Sequence, residues 1–165
     1  MFIISLLKQI YTFLYTPFFI LVVLIQPLLF IRFGKLDSSR IGHFATNTAL
    51  YILEKKNNKT KSIDIFYLDK IVSNTFLLKF WSRNLIILPR IIVFPFFNFF
   101  SNYFIVNKFI INDNMNNDRD IKQLIEKNNI LLSFTKKEIL NGEKTLNDMG
   151  LKKSDKLVLI YNRDS

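Results

Sequence analysis

Residues 13–31 of this 165-residue chain carry no charge and are almost wholly apolar. That run limits the folds open to the chain more than any other feature. A helix crossing a bilayer core of about 30 Å takes ~20 apolar residues, and the run needs only one or two more on its N-terminal side. Tyr11 and Tyr15 stand near one end, as interfacial aromatics do. Pro17 and Pro27 fall near the two ends, where a membrane helix tolerates proline best. No small-x-small cleavage pattern follows, so the expectation is an uncleaved anchor. Lys8 precedes the run, and Arg32, Lys35 and Arg40 follow it. The positive-inside rule then places the main domain on the cytoplasmic side of the membrane. A buried core helix is the alternative.

Composition supports membrane contact. Half of the residues are hydrophobic and 18 are Phe, which is heavy for a soluble domain of this size. The formal net charge of +10 favours anionic partners such as phospholipid head groups or phosphorylated substrates. The basic residues are spread along the chain and not grouped with exposed aromatics, so no nucleic-acid partner is expected. With no cysteine, disulfides and thiolate metal sites are excluded. There is no P-loop, nucleophile elbow or metal-ligand cluster, and neither a metal nor a cofactor is expected.

The chemistry concentrates in residues 36–47, Leu-Asp-Ser-Ser-Arg-Ile-Gly-His-Phe-Ala-Thr-Asn, which hold the only histidine. Asp37, Ser38 and Ser39 are turn formers and candidate helix N-caps. From 44 to 56 the pattern is helical. A glycine ahead of a helix lets a ligand approach backbone amides, and a helix N-terminus suits a phosphate. Arg40 can add a charge-assisted contact to a diphosphate or an acidic acceptor. His43 can serve as general base or as a hydrogen-bond donor to a sugar. In the plainer alternative Gly42 only makes the turn, Arg40 meets lipid phosphates and His43 caps the helix.

The middle of the chain reads as alternating elements. Residues 29–36 either end the anchor or form a first strand, with Gly34 arguing against a long unbroken one. Residues 55–62 form a polar linker, 63–68 a strand, 71–82 a helix and 85–88 a further strand. Asp69 reads as a turn residue at a strand end. That order suits a parallel sheet with covering helices. Residues 89–104 are a second hydrophobic zone, in which Arg90 makes a true span costly. It reads as a helix at the membrane interface, with Phe96-Phe97 and Phe99-Phe100 entering lipid, or as one packed against the anchor or buried. Residues 112–120 read as a loop and 121–127 as a short helix. Thr135 and Glu138 make a capping box for a helix from 136 towards Met149, with Gly150 as its C-cap. Gly142 would mark a break in it, and 157–161 read as a buried strand.

Arg40-Ile41-Gly42-His43, followed by Ala45, Asn47, Leu50, Tyr51 and Glu54, resembles the opening motif of a family of putative bacterial glycosyltransferases. Leu146-Asn147-Asp148-Met149-Gly150-Leu151 and the closing Arg163-Asp164-Ser165 are similar to later motifs of the same family, in the same order. Tyr161 departs from it, standing where relatives often carry His. The resemblance implies an α/β fold: the Rossmann-like N-terminal lobe of a GT-B-type transferase, preceded by an N-terminal membrane helix. It implies an anchor over 1–33, an N-terminal lobe over 34–132, and over 133–165 the start of a C-terminal lobe whose remainder is missing. It further implies a nucleotide-sugar donor and membrane lipid as partners, and a role in cell-surface polysaccharide synthesis. His43 is the implied catalytic base. Arg40, Gly42, Asn47, Arg163 and Asp164 are implied substrate-binding residues, the last two opening the opposing face. The second lobe usually grips the donor nucleotide, so this chain is expected to be incomplete for catalysis. A non-catalytic, membrane-anchored binding or scaffold protein is the alternative.

Overall fold

The computed structural model describes residues 2–59, 61–102, 108–111, 120, 122–128, 133–152 and 155–156, with side chains from residue 13 onward. The chain divides into two compact units, Met1–Asn129 and Ile130–Ser165.

In the first unit, helix α1 (Phe2–Ile25) leads into strand β1 (Ile31–Leu36), helix α2 (Ile41–Asn58), strand β2 (Ile63–Leu68), helix α3 (Thr75–Trp81), a short strand β3 (Ile86–Ile87), helix α4 (Arg90–Ser101) and helix α5 (Leu124–Lys127). The uncharged run is therefore split between a helix and a strand. Pro27 cannot continue α1, and Gln26 fixes the handover. Its side-chain amide donates to the Ile31 carbonyl at 2.8 Å and its oxygen accepts the Ile31 N–H at 3.0 Å. What remains of the run within α1, residues 13–25, extends ~20 Å at ~1.5 Å per residue. Among the described residues no helix is long and apolar enough to cross a membrane, so the expected spanning helix is not found there.

The sheet is parallel, in the order β1-β2-β3. Beyond β3 the chain passes through α4 and returns to the far side of β1. There Ile110 forms a parallel bridge with Phe33, and the Ile111 N–H donates to the Phe33 carbonyl at 2.8 Å. The lateral order is thus 3-2-1 followed by the returning segment, as in the first half of a doubly wound fold. The faces agree with it. Phe66 of β2 meets Tyr51 of α2, with ring centroids 4.9 Å apart. Phe33 and Tyr67, on the other face, meet Phe96 and Phe97 of α4 at 5.1 and 5.5 Å. Same-handed crossovers running in opposite directions leave their helices on opposite faces. The result is an α/β domain with a small parallel sheet between two helical layers, consistent with a Rossmann-like fold.

The main apolar core lies on the α4 face, where Phe33, Tyr67, Val93, Phe100, Phe109 and Ile110 are buried together. Residues 93, 96, 97 and 100 fall on one helical stripe. Phe100 is fully buried and Phe96, Phe97 and Phe99 are half-buried. This corrects the reading in which those phenylalanines enter lipid: they face the sheet and α1, while Ile91 and Ile92 point outward.

Gly34 does not interrupt β1. It lies beside Phe66 in register, and a Cβ there would meet the Phe66 ring at 2.6 Å. The missing side chain makes room for that ring. On the α2 face α3 begins at Thr75 rather than at 71, because the preceding residues are tied to the β1–α2 loop. Asn74 caps it, its Oδ1 accepting the Leu77 N–H at 2.9 Å. The short helix expected over 121–127 begins at Leu124, where the Asp120 carboxylate accepts the N–H groups of Leu124 and Ile125 at 2.7 Å.

In the second unit, helix α6 (Lys136–Asp148) carries the expected capping box between Thr135 and Glu138. Its C-cap is Met149 instead of Gly150, and Gly142 sits inside it without a break. Gly150 follows at φ 85°, a left-handed conformation that suits glycine. The strand expected over 157–161 lies outside the described residues, as do Arg163 and Asp164.

Candidate functional site

The carboxyl edge of the sheet is assembled by polar contacts between the loops that follow β1 and β2. Ser38 is fully buried there. Its hydroxyl donates to the Ile71 carbonyl and accepts the Asp69 N–H, both at 3.0 Å. Its own carbonyl accepts the Ser73 N–H at 2.8 Å. Lys35, the penultimate residue of β1, bridges Asp37 at 2.9 Å and Asp69 at 2.8 Å. Burial disfavours the charge on Lys35, but the hydrogen bonds from these two carboxylates outweigh it and hold the ammonium above its ordinary pKa. Ser38 is therefore a staple between two loops and not a helix cap, and Asp69 is an ion-pair partner as well as a turn residue.

Helix α2 starts earlier than its hydrophobic pattern suggests, so Arg40-Ile41-Gly42-His43 forms its first turn. Arg40 is the N-cap in extended conformation, with φ −120° and ψ 125°, and its carbonyl accepts the Phe44 N–H at 2.9 Å. No side chain caps this end, and the first turn holds no acidic residue. The first turn itself therefore supplies no carboxylate to offset the partial positive charge of the helix terminus. Arg40 and Gly42 are exposed, and the position of a Gly42 Cβ has no atom within 4 Å.

His43 is half-buried, and its Nδ1 lies 3.4 Å from the Asn47 side-chain amide one turn later. Asn47 is buried beneath His43. Phe44 is fully buried, and its carbonyl accepts the Trp81 indole N–H at 3.0 Å. That bond fixes the first turn of α2 against α3. The structure therefore places Arg40, Gly42, His43 and Asn47 within the first two turns of α2, at the carboxyl edge of β1. The part that Ser38 and Lys35 play in shaping this edge is not legible in the sequence, because Asp69, Ile71 and Ser73 lie more than thirty residues away.

A second polar cluster sits at the opposite edge. Asp64 of β2 is buried, with its side chain 1 % exposed. It lies beside Arg32 of β1 in register. The Arg32 guanidinium donates to both carboxylate oxygens, at 2.8 and 2.9 Å. Lys55 of α2 lies 2.6 Å from the same carboxylate, and the Tyr51 hydroxyl donates to it. Burial pushes the Asp64 pKa up, but the hydrogen bonds from Arg32, Lys55 and Tyr51 win and hold it at about 2. Burial, and then the bond to Asp64, push the Tyr51 phenol well above its ordinary value. A cavity of about 260 Å³ opens beside this cluster, between Lys55, Ser62 and Asn84. It lies at the amino edge of the strands, whereas open α/β sheets bind ligands outside the carboxyl ends, next to the point where strand order reverses. The Arg32–Asp64–Lys55 group also joins β1, β2 and α2 within the domain. We therefore assign the candidate site to the carboxyl edge.

Among the described residues no group of three or more His, Cys, Asp or Glu side chains converges to hold a metal. Compared with protein-family models, curated proteins and solved structures, the chain matches none.

Proposed function

We propose that the chain belongs to a membrane-associated, GT-B-type glycosyltransferase that moves a sugar from a nucleotide-activated donor, in the service of cell-surface polysaccharide, with residues 34–132 as its N-terminal lobe. One observation carries this reading. The Arg40-Ile41-Gly42-His43 turn, on which the resemblance to glycosyltransferases rests, stands at the carboxyl edge of the first strand, where the strand order reverses. The uncapped end of α2 and the exposed Arg40 offer an anionic group backbone N–H donors and a guanidinium.

His43 then serves as general base. It takes the proton of an acceptor hydroxyl as that oxygen attacks the anomeric carbon, and the nucleoside diphosphate leaves with the bonding electrons. In the structure the Asn47 side-chain nitrogen faces Nδ1 at 3.4 Å, which puts the ring hydrogen on Nε2; for Nε2 to accept that proton, the Asn47 amide must turn over so that its oxygen takes the hydrogen of Nδ1. Asn47 in this scheme orients the imidazole.

The test is sugar transfer by membranes carrying the whole gene product, supplied with a panel of radiolabelled nucleotide sugars. One donor is expected to be consumed. His43→Ala is expected to lower turnover by about 10²- to 10⁴-fold without loss of the folded signal in circular dichroism. Transfer that survives His43→Ala unchanged would remove the base from the scheme. No consumption of any donor would remove the transferase.

A further inference from the structure

The apolar surface that α1 and α4 leave uncovered is continuous with the buried core, and its geometry sets how the chain can meet a membrane. Tyr15, Phe19 and Val22 form one stripe of α1 and are engaged by protein. The Tyr15 hydroxyl donates to the Ile91 carbonyl at 3.2 Å. Phe19 is buried and stacks on Phe99 with ring centroids 4.2 Å apart. Val22 packs against the core cluster. α4 in turn lies on the sheet, where Phe33 stacks on both Phe96 and Phe100. A segment held to the domain in this way cannot be surrounded by lipid on all sides.

On the described part of α1, from residue 13 onward, Phe13, Leu14, Phe18, Leu21 and Leu24 are exposed. Leu28 in the following turn is 86 % exposed and Ile91 at the start of α4 is 72 % exposed. A contiguous surface of this kind marks a docking site. Charge points to the occupant. Residues 1–36 and 70–112, which include α1, β1 and α4, contain no Asp or Glu. Arg90 stands beside this surface with its guanidinium over the rings of Tyr67 and Phe94, at 5.4 and 4.7 Å from their centroids. An apolar face without acids and with a cation at its margin matches an anionic phospholipid bilayer.

We propose that α1 and α4 form one layer that lies in the plane of such a bilayer, with the outer side of α1 among the acyl chains, and that α1 does not cross it. This inference rests on the membrane attachment in the reading above and specifies its form. Both ends of α1 then lie on the same side of the membrane as the α/β domain.

The absence of native cysteine makes the arrangement directly testable. Ser5→Cys and Asn57→Cys are introduced singly into the full chain. Spheroplasts of expressing cells are then treated with a membrane-impermeant maleimide before and after lysis. Both positions are expected to react only after lysis, with the protein in the membrane fraction. Labelling of Ser5→Cys in intact spheroplasts, with Asn57→Cys protected, would show a spanning α1 and overturn the in-plane arrangement while leaving membrane attachment in place. Recovery of the chain in the soluble fraction would overturn attachment itself. Leu21→Asp with Leu24→Asp is expected to lower co-sedimentation with phosphatidylglycerol vesicles at least tenfold and leave the thermal midpoint unmoved. Retained vesicle binding would place the contact surface elsewhere.

Discussion

Asp64 shows what a single residue contributes to this fold. A carboxylate in the second position of a short strand would be costly to bury alone. Here it is held by Arg32, Lys55 and Tyr51. Its pKa is depressed, so its stabilisation is fully present above the unfolded value of about 3.9 and is lost as pH falls through about 2. The drop from 3.8 to about 2 corresponds to roughly 2 kcal/mol. Urea titrations at pH 7 and pH 2.5 are expected to differ by most of that amount, and Asp64→Asn to remove this contribution while costing about 3–5 kcal/mol at pH 7. Two glycines make a sharper contrast. Gly34→Ala drives a methyl group into the Phe66 ring and is expected to cost about 1–3 kcal/mol. Gly42→Ala meets open space inside a helix and is expected to gain up to about 1 kcal/mol. If ligand approaches the α2 amides at that point, the same change lowers affinity, so denaturation and binding measured on Gly42→Ala should move in opposite directions.

At the scale of elements, the sequence was most legible where the determining contacts are local. The Thr135–Glu138 capping box reports α6 because both residues lie within one turn of each other. The alternation in 63–68 reports β2. β1 was not separable from the apolar run, because its boundary is set by Pro27 and by the Gln26 side chain folding back on Ile31. The start of α3 was misplaced because Ser38, over thirty residues earlier, holds the Ile71 carbonyl and the Ser73 N–H. α4 carries apolar residues on several sides, so its buried face is one stripe among several in sequence and is chosen by the partners it meets. Those partners give α1 a two-sided character. Phe19→Ala is expected to destabilise the domain by about 3 kcal/mol in urea unfolding, whereas Leu24→Ala, on the open side, is expected to stay within about 0.5 kcal/mol. Equal effects would mean that α1 is not organised by its contact with α4.

At the scale of the whole molecule, the lateral order of the sheet and the returning segment was the least legible feature and bears most on function. Alternating elements suggested a parallel sheet, but nothing in residues 108–111 announced that the chain returns beside β1 to meet Phe33. That return puts the point of reversal next to the Arg40–His43 turn. The motif residues themselves were legible as a group because they are contiguous. Their surroundings, the Lys35 bridge and the Ser38 staple, were not.

The most direct measurement is an amide chemical-shift titration of the full, detergent-solubilised, isotope-labelled chain with a nucleoside diphosphate sugar. Saturable shifts are expected at the N–H groups of Ile41, Gly42 and His43, at the uncapped end of α2, and are expected to vanish in Arg40→Ala. Saturable shifts confined instead to Tyr51, Lys55 and Asn84, around the cavity at the opposite edge, would contradict the assignment of the site to the carboxyl edge of the sheet.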